Sequence, residues 1–271
     1  MGGWRLLGGL AGLGLVSAGF GLAGWLMALG PIDLGRTAEG SPLAVDRNGH
    51  LLRAFTTPDG RWKLPVTADE VDPRFFALLS AYEDRRFLTH HGVDPRAMAR
   101  AAWQGVQAGR IVSGGSTLTM QVARLLEPRE ERSLAAKLRQ MVRALQLEQT
   151  HSKSRILDFY LTLAPYGGNL EGIRAASLAY FGKEPRRLTH GEAALLVALP
   201  QAPEARRPDR FAATAQRARD RVLTLAAARG VISPAEAEAA RREPVPVARK
   251  RFPMVAPHLA ERMVRERPGE R

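Results

Sequence analysis

Two clusters of residues in this chain have the types and spacing to do chemistry. The first runs Glu83-Asp84-Arg85-Arg86-Phe87 and resumes two residues later as His90-His91-Gly92-Val93-Asp94. Adjacent carboxylates can supply a general base with a supporting charge beside it. The same residue types at a helix end also make an ordinary solvated surface. The two histidines are a poor metal pair, because consecutive side chains on a helix diverge rather than share a face. The second cluster is Ser113-Gly114-Gly115-Ser116-Thr117-Leu118-Thr119-Met120-Gln121. Its glycines let a backbone approach a ligand closely, and a Ser/Thr helix start leaves N–H groups free for an anion. No Gly-Lys-Ser/Thr follows, so this is not a phosphate-binding P-loop. A capped helix start without a ligand fits it as well.

Helices must hold both clusters. Asp72-Pro73 and Asp94-Pro95 each pair an N-capping acid with proline at the first helical position. The first opens an apolar segment with Phe75, Phe76, Leu78, Leu79 and Tyr82, which places Glu83 near the end of a helix. The second opens Met98 to Val106, closed by Gly109. Further helices are expected over 117–126, 133–150, 153–163 and 171–181. Thr189 with Glu192, and Ser233 with Glu236, form capping boxes that start two more. Ahead of the helices, residues 36–70 read as a β-containing connector, with Leu43-Ala44-Val45 and Leu51-Leu52-Arg53-Ala54-Phe55 flanking the hairpin signal Asn48-Gly49. After Glu243 the chain turns Pro- and Arg-rich, so 244–271 reads as a linker and 71–243 as the main, mainly helical domain.

The segment 1–35 reads as a membrane anchor. Leu6 to Gly30 carries no charged residue. As a helix at about 1.5 Å per residue it would run roughly 37 Å, enough to cross a hydrocarbon core of about 30 Å with tilt. Arg5 precedes it and Asp33 follows, which keeps the N-terminus cytoplasmic and everything after residue 35 outside. A cleaved signal peptide is the competing reading, but its apolar core would be shorter and Pro31 spoils the cleavage site. The formal charge of +13 implies an anionic partner or surface, with arginine carrying most of it; a GC-rich genome would also raise arginine. An exported domain without a recognisable nucleic-acid motif argues against a nucleic-acid partner. Zero cysteines exclude disulfides and thiolate metal sites.

Taken together and in order, the two clusters resemble the first two motifs of the peptidoglycan glycosyltransferases, glycosyltransferase family 51. Glu83, Asp84, Phe87, His90, Gly92 and Asp94 fill the first, and Gly114 to Gln121 fill the second, with Arg124 at a basic position. Ser152-Lys153 with Ile156-Leu157 and Tyr160-Leu161 resemble the fourth motif. Gly172, Ala175-Ala176-Ser177 and Tyr180-Phe181-Gly182-Lys183 resemble the fifth. Arg-Ala-Leu-Gln-Leu-Glu at 143–148 and Ala-Leu-Pro-Gln-Ala-Pro at 198–203 look most like the 1C type of class A penicillin-binding proteins. No transpeptidase motif of the Ser-x-x-Lys, Ser-x-Asn or Lys-Thr/Ser-Gly kind is present.

The resemblance implies a lysozyme-like helical fold at a bacterial inner membrane, single-pass, with the domain on the periplasmic side. It implies a growing lipid-linked glycan strand as donor, lipid II as acceptor, inversion at the anomeric carbon and release of undecaprenyl pyrophosphate. Glu83 is then the general base and Asp84 supports it. His90, Gly115, Ser116, Thr117, Gln121, Arg124, Lys137 and Lys153 bind substrate. Other cell-wall synthesis proteins are conceivable partners. No metal ligand set is indicated and no cofactor is certain, although the resemblance leaves room for a divalent cation, Mg or Mn, with the pyrophosphate.

Three departures stand out. Gln140 occupies the position of the family's second glutamate, with Ala136 beside Lys137 in place of arginine. Glu171 replaces the arginine before Gly172, and Thr162 the usual asparagine. Glutamine cannot serve as an acid or bind a cation as a carboxylate does. Glu148 lies too far along the same helix to take its place, about 12 Å by helix rise. A catalytically weak lipid II-binding scaffold and a lysozyme-like glycan-cleaving enzyme therefore remain as alternatives.

Overall fold

The computed structural model describes residues 24–25, 28–109, 115–128, 133–255 and 257–266. The chain divides into two compact units, Met1–Asp33 and Leu34–Arg271. Most of the uncharged run Leu6–Gly30 lies outside the described residues, and no helix among those described is long and apolar enough to cross a membrane.

In the second unit a short helix α1 (Gly35–Ala38) precedes the hairpin β1 (Leu43–Val45) and β2 (Leu51–Ala54). Asp46 closes its turn by accepting hydrogen bonds from the Asn48 and His50 backbone N–H groups, at 2.8 and 2.9 Å. The next strand, β3 (Trp62–Lys63), pairs in parallel with β4 (Leu170–Glu171), more than one hundred residues on. The connector is thus built into the helical domain. This pairing also delays the helix expected from 171, which starts at Ile173.

The helices follow as α2 (Pro73–Tyr82), α3 (Pro95–Ala108), α4 (Leu118–Leu126), α5 (Leu134–Thr150), α6 (Lys153–Leu163), α7 (Ile173–Phe181), α8 (His190–Ala198), α9 (Pro208–Ala228), α10 (Pro234–Arg242) and α11 (Pro257–Glu266). Their starts are set by side-chain caps. Asp72, Asp94, Thr117, Ser133 and Ser152 each accept a hydrogen bond from a backbone N–H of the first turn. Thr189 and Ser233 close reciprocal boxes with Glu192 and Glu236. Each cap is worth about 1 kcal/mol.

Helix α8 is apolar all round and buried from Ala193 to Ala198, packed against α2, α7, α9 and α10. A second cluster forms where α4 packs on α5 and α6. Buried Arg219 on α9 ends α10 by donating to the carbonyls of Arg241 and Glu243, at 2.8 and 2.5 Å. The segment 244–255, whose composition reads as a linker, lies along the domain. Lys250 N–H donates to Ala179 O at 2.7 Å, Phe252 stacks on Trp62 at 4.4 Å, and Val255 N–H donates to Leu52 O at 2.9 Å. Its basic side chains, which suggest solvation, instead satisfy carbonyls: Arg249 reaches Gly167 O and Lys250 reaches Phe181 O at the end of α7. Helix α11 follows, tied to β2 by an Arg53–Glu261 ion pair of 2.8 Å.

The loop between α2 and α3 is pressed onto α5 at Gly92. Its φ of +88° is a left-handed conformation, and a Cβ there would lie 2.5 Å from the Ala144 carbonyl oxygen. Gly92→Ala is expected to lose at least about 2 kcal/mol of stability, from backbone strain plus a backbone clash. Chemical denaturation would show this as a lower midpoint at unchanged slope. An unchanged midpoint would mean that the loop can retreat from α5 freely.

Candidate active site

Helix α2 is fixed by buried Phe75, Leu78 and Leu79, and Glu83 is its C-terminal cap, with its N–H on Leu79 O at 2.8 Å. The side chain is half-buried and both oxygens are held. Gln201 Nε2 donates to Oε1 at 2.7 Å and Gln121 Nε2 donates to Oε2 at 2.9 Å. Burial pushes the Glu83 carboxyl above its usual range; the two amides and Arg206 pull it partly back, and Asp84 adds to the rise. Gln201 is oriented in turn, because its amide oxygen accepts from Arg206 at 3.0 Å and from Tyr82 at 3.4 Å.

Glu83 opens on a cleft of about 620 Å³. Ser116, Gln121 and Arg124, before and along α4, and Lys137 and Gln140 on α5 line it too. Lys137 and Gln140 are three residues apart and so share one helix face. Lys137 Nζ donates to Ser116 Oγ at 2.5 Å and to Gln140 Oε1 at 2.9 Å. Gln140 Nε2 donates to Met120 O at 2.7 Å, so the amide joins the lysine to the α4 backbone. A carboxylate at 140 could not make that second bond. Burial lowers the Lys137 pKa, and the nearby Arg124 guanidinium lowers it further.

The other residues read as substrate-binding or supporting do not line this cleft. Asp84 and His90 are both buried; Asp84 Oδ2 lies 2.9 Å from His90 Nε2 and accepts from Leu118 N–H at 3.0 Å. Thr117 is buried, caps α4 and donates to Gly92 O at 2.5 Å. Lys153 Nζ donates to His90 O and to Glu148 Oε1, both at 2.6 Å, and sits 4.4 Å from the Phe87 ring centre. Thr119 Oγ1 donates to the same Glu148 oxygen at 2.6 Å. Gly115 packs against Met98, and Gly114 lies outside the described residues. These residues hold α2, α4, α5 and α6 together, one step behind the cleft wall.

Sequence reasoning did not assign several lining residues to the site. Glu127, Arg139 and Arg143 form an ion-paired group on the α4–α5 side, and Gln201 completes the hold on Glu83. Two of them had a signal, Gln201 in Ala-Leu-Pro-Gln-Ala-Pro and Arg143 at the start of Arg-Ala-Leu-Gln-Leu-Glu. Glu171 does not line this cleft. It is buried and receives Lys63 at 2.9 Å, Arg61 at 3.0 Å and Arg36 at 3.4 Å, all from the connector.

The cleft does not fit a protein-held divalent cation. Both Glu127 oxygens are taken by arginines, and the Gln140 amide oxygen is taken by Lys137. Among the described residues no group of three or more His, Cys, Asp or Glu converges.

A family model described as Transglycosylase matches residues 48–227. Penicillin-binding protein 1C of Escherichia coli (strain K12) is 48% identical over 222 residues, covering 82% of this chain and 29% of that protein. Penicillin-binding protein 1A of Aquifex aeolicus is 38% identical, covering 67% of this chain and 25% of the relative. Penicillin-binding protein 1F of Bacillus subtilis is 34% identical, covering 73% and 27%. The chain thus spans under a third of the length of these curated relatives. A solved penicillin-binding protein 1A from Haemophilus influenzae superposes with a TM-score of 0.44 at 20% identity, over 86% of this chain and 25% of that one, too loosely to support a finer statement. With the family model covering more than half of its residues, this chain belongs to the transglycosylase family, the glycosyltransferase domain of class A penicillin-binding proteins.

Proposed function

We propose that this chain polymerises lipid II into peptidoglycan strands, with Glu83 as the general base. The observation that carries the reading is a half-buried carboxylate of raised pKa on one side of a cleft that also holds Arg124 and Lys137. Glu83 takes the proton from the acceptor sugar hydroxyl as its oxygen attacks the anomeric carbon of the donor. The bond from that carbon to the pyrophosphate oxygen breaks on the opposite face, which inverts the centre. The proton stays on Glu83 and the lipid pyrophosphate leaves as an anion. Arg124, Lys137 and the Ser116 hydroxyl balance its charge, so no acid is needed at Gln140. A lysozyme-like arrangement of the helices around this cleft belongs to the same reading.

Labelled lipid II tests it directly, by formation of polymer that a muramidase digests. Glu83→Gln keeps the shape and removes the basicity, and is expected to abolish polymer while folding and lipid II binding persist. Polymerisation that survives this change would show that another group is the base. Wild-type binding without polymer would favour a scaffold, and cleavage of finished glycan would favour a hydrolase.

The raised pKa fixes a sign. Glu83 must be ionised to accept a proton, so activity should fall on the acid side at a pH above the ordinary carboxylate value of about 4.3. Gln201→Ala removes a hydrogen bond that favours the ionised form and should move this acid limb to higher pH. An unmoved limb in a folded variant would remove Glu83 from the titration.

Gln140→Glu puts a carboxylate against the Met120 carbonyl in place of an amide donor. It is expected to cost about 1–3 kcal/mol of stability. The family comparison that motivates it predicts more polymer or a new dependence on Mg or Mn; a variant with neither shows that position 140 does not limit catalysis.

The same reading places the domain on the periplasmic face of the inner membrane, held by the segment 1–35. Helix α3 has no buried residue, and its Trp103 and Val106 are exposed beside Arg96 and Arg100. Anionic vesicles should therefore shift Trp103 fluorescence to the blue, with the other tryptophans replaced by Phe. An unchanged spectrum would detach α3 from the membrane.

A further inference from the structure

The ion-paired group beside the cleft is organised in one direction. Arg143 is at its root, with a side chain only 4% exposed. It donates to Gln146 Oε1 at 2.8 Å and pairs with Glu127 Oε1 at 2.5 Å. The second oxygen of Glu127 takes Arg139 Nε at 3.0 Å. That bond uses the inner nitrogen of Arg139 and leaves its two outer ones without a partner among the described residues, on a side chain that lines the cleft. Arg124 also lines the cleft and is exposed, with no hydrogen bond or ion pair among the described residues. Lys137 spends two donors, on Ser116 and Gln140, and has a third left.

We propose that Glu127, locked by buried Arg143, is a positioning residue that aims Arg139 into the cleft, and that Arg139, Arg124 and Lys137 together cradle a diphosphate. This rests on the polymerase reading and adds to it the residues that order the leaving-group end. Glu127 does not act as an acid here. Burial pushes its carboxyl up, but the hydrogen bonds from Arg139 and Arg143 outweigh this and hold it below the usual range. A diphosphate has at least two negative charges to place and acceptor oxygens on both phosphorus atoms. A guanidinium fork whose outer nitrogens have no partner among the described residues, a second guanidinium and an ammonium match that set, whereas a single carboxylate would fill only one fork. A long arginine side chain on a helix loses much rotamer freedom when it binds, and Glu127 meets that cost beforehand by fixing Arg139.

Simple charge counting predicts the opposite for one variant, which makes the idea testable. Removing Glu127's negative charge should strengthen anion binding if only net charge matters, and weaken it if orientation matters. The full-length chain in detergent would be titrated with inorganic diphosphate by calorimetry, beside Glu127→Gln, Arg139→Gln and the double variant, with thermal unfolding recorded for each. Glu127→Gln and Arg139→Gln are each expected to weaken binding about tenfold, the size of one charge-assisted hydrogen bond. The double variant should bind no more weakly than Arg139→Gln alone, because Glu127 acts through Arg139. Arg139→Lys keeps the charge without the fork and should bind more weakly than wild type.

Tighter binding by Glu127→Gln, additive losses in the double variant, or no diphosphate binding by wild type would each overturn the proposal. A lower melting temperature with unchanged affinity in the folded protein would also overturn it, leaving Glu127 a structural role alone. Polymer formation, assayed in parallel, separates the two readings. Wild type that binds diphosphate as described but makes no polymer fails as a polymerase and keeps the cradle. Wild type that polymerises while Glu127→Gln binds normally keeps the polymerase and loses the cradle.

Discussion

The buried Asp84 carboxylate is the constraint on which the site depends. It accepts the Leu118 N–H at the start of α4 and pairs with buried His90, so the end of α2 and the beginning of α4 share one negative charge. A carboxylate at a helix N-terminus is favoured by the dipole and by unpaired N–H groups there. One residue earlier, Glu83 faces the cleft, and three residues into α4, Gln121 reaches back to hold it. Neighbouring carboxylates thus divide the work: Asp84 locks two helices, and its rigidity brings the amide to Glu83. The Thr119–Glu148–Lys153 contacts repeat the device between α4, α5 and α6, with Lys153 also bonded to the carbonyl of His90.

The same logic explains two departures from the family pattern. Removing a charge from a site leaves a vacancy that the surrounding structure must fill. At Glu171 the sign is reversed, and Lys63, Arg61 and Arg36 of the connector pair with the carboxylate. Arg36 also donates to the Leu125 carbonyl at the end of α4, at 2.6 Å, so this cluster around buried Glu171 braces the helix that lines the cleft. At Gln140 a neutral amide keeps a hydrogen bond to Lys137 and gains one to Met120 O. Both substitutions are accommodated by local partners and leave the Glu83 side of the cleft untouched.

Local signals were legible wherever a single short stretch decides the outcome. The N-caps at Asp72, Asp94, Thr189 and Ser233 and the Asn48-Gly49 turn act within a few residues, and the helices and hairpin form where they indicate. The family motifs located Glu83, Ser116, Gln121, Arg124, Lys137 and Gln140, all of which line the cleft. What escaped was set by long-range geometry. The β3–β4 pair joins two-residue strands that carry no periodicity of their own. The Pro- and Arg-rich stretch after Glu243 resembles a linker until the distant carbonyls that Arg249 and Lys250 satisfy are known. His90, Thr117 and Lys153 have the residue types of ligand-binding groups, and in the structure His90 Nε2, the Thr117 hydroxyl and two Lys153 donors engage the protein behind the cleft wall. Whether a polar side chain serves a ligand or a neighbouring helix is a property of its partners, which spacing alone does not give.

The carboxylates of the cleft also bear on the kind of reaction it can run. A glycan-cleaving enzyme typically needs two carboxyl groups, one of them protonated to assist an alkoxide leaving group. Glu83 is one candidate, with its pKa raised by burial. Among the described residues the other carboxylate lining the cleft is Glu127, and two arginines favour its ionised form. It has no proton to give near neutral pH, and the position where the family has its second glutamate is an amide. A leaving group that carries its own negative charge stably, as a pyrophosphate does and a sugar alkoxide does not, needs no acid at either position. Among the described residues the cleft thus combines one carboxylate of raised pKa with Arg124, Lys137 and Arg139, a set that suits transfer from an activated phosphate donor better than cleavage of a finished glycosidic bond.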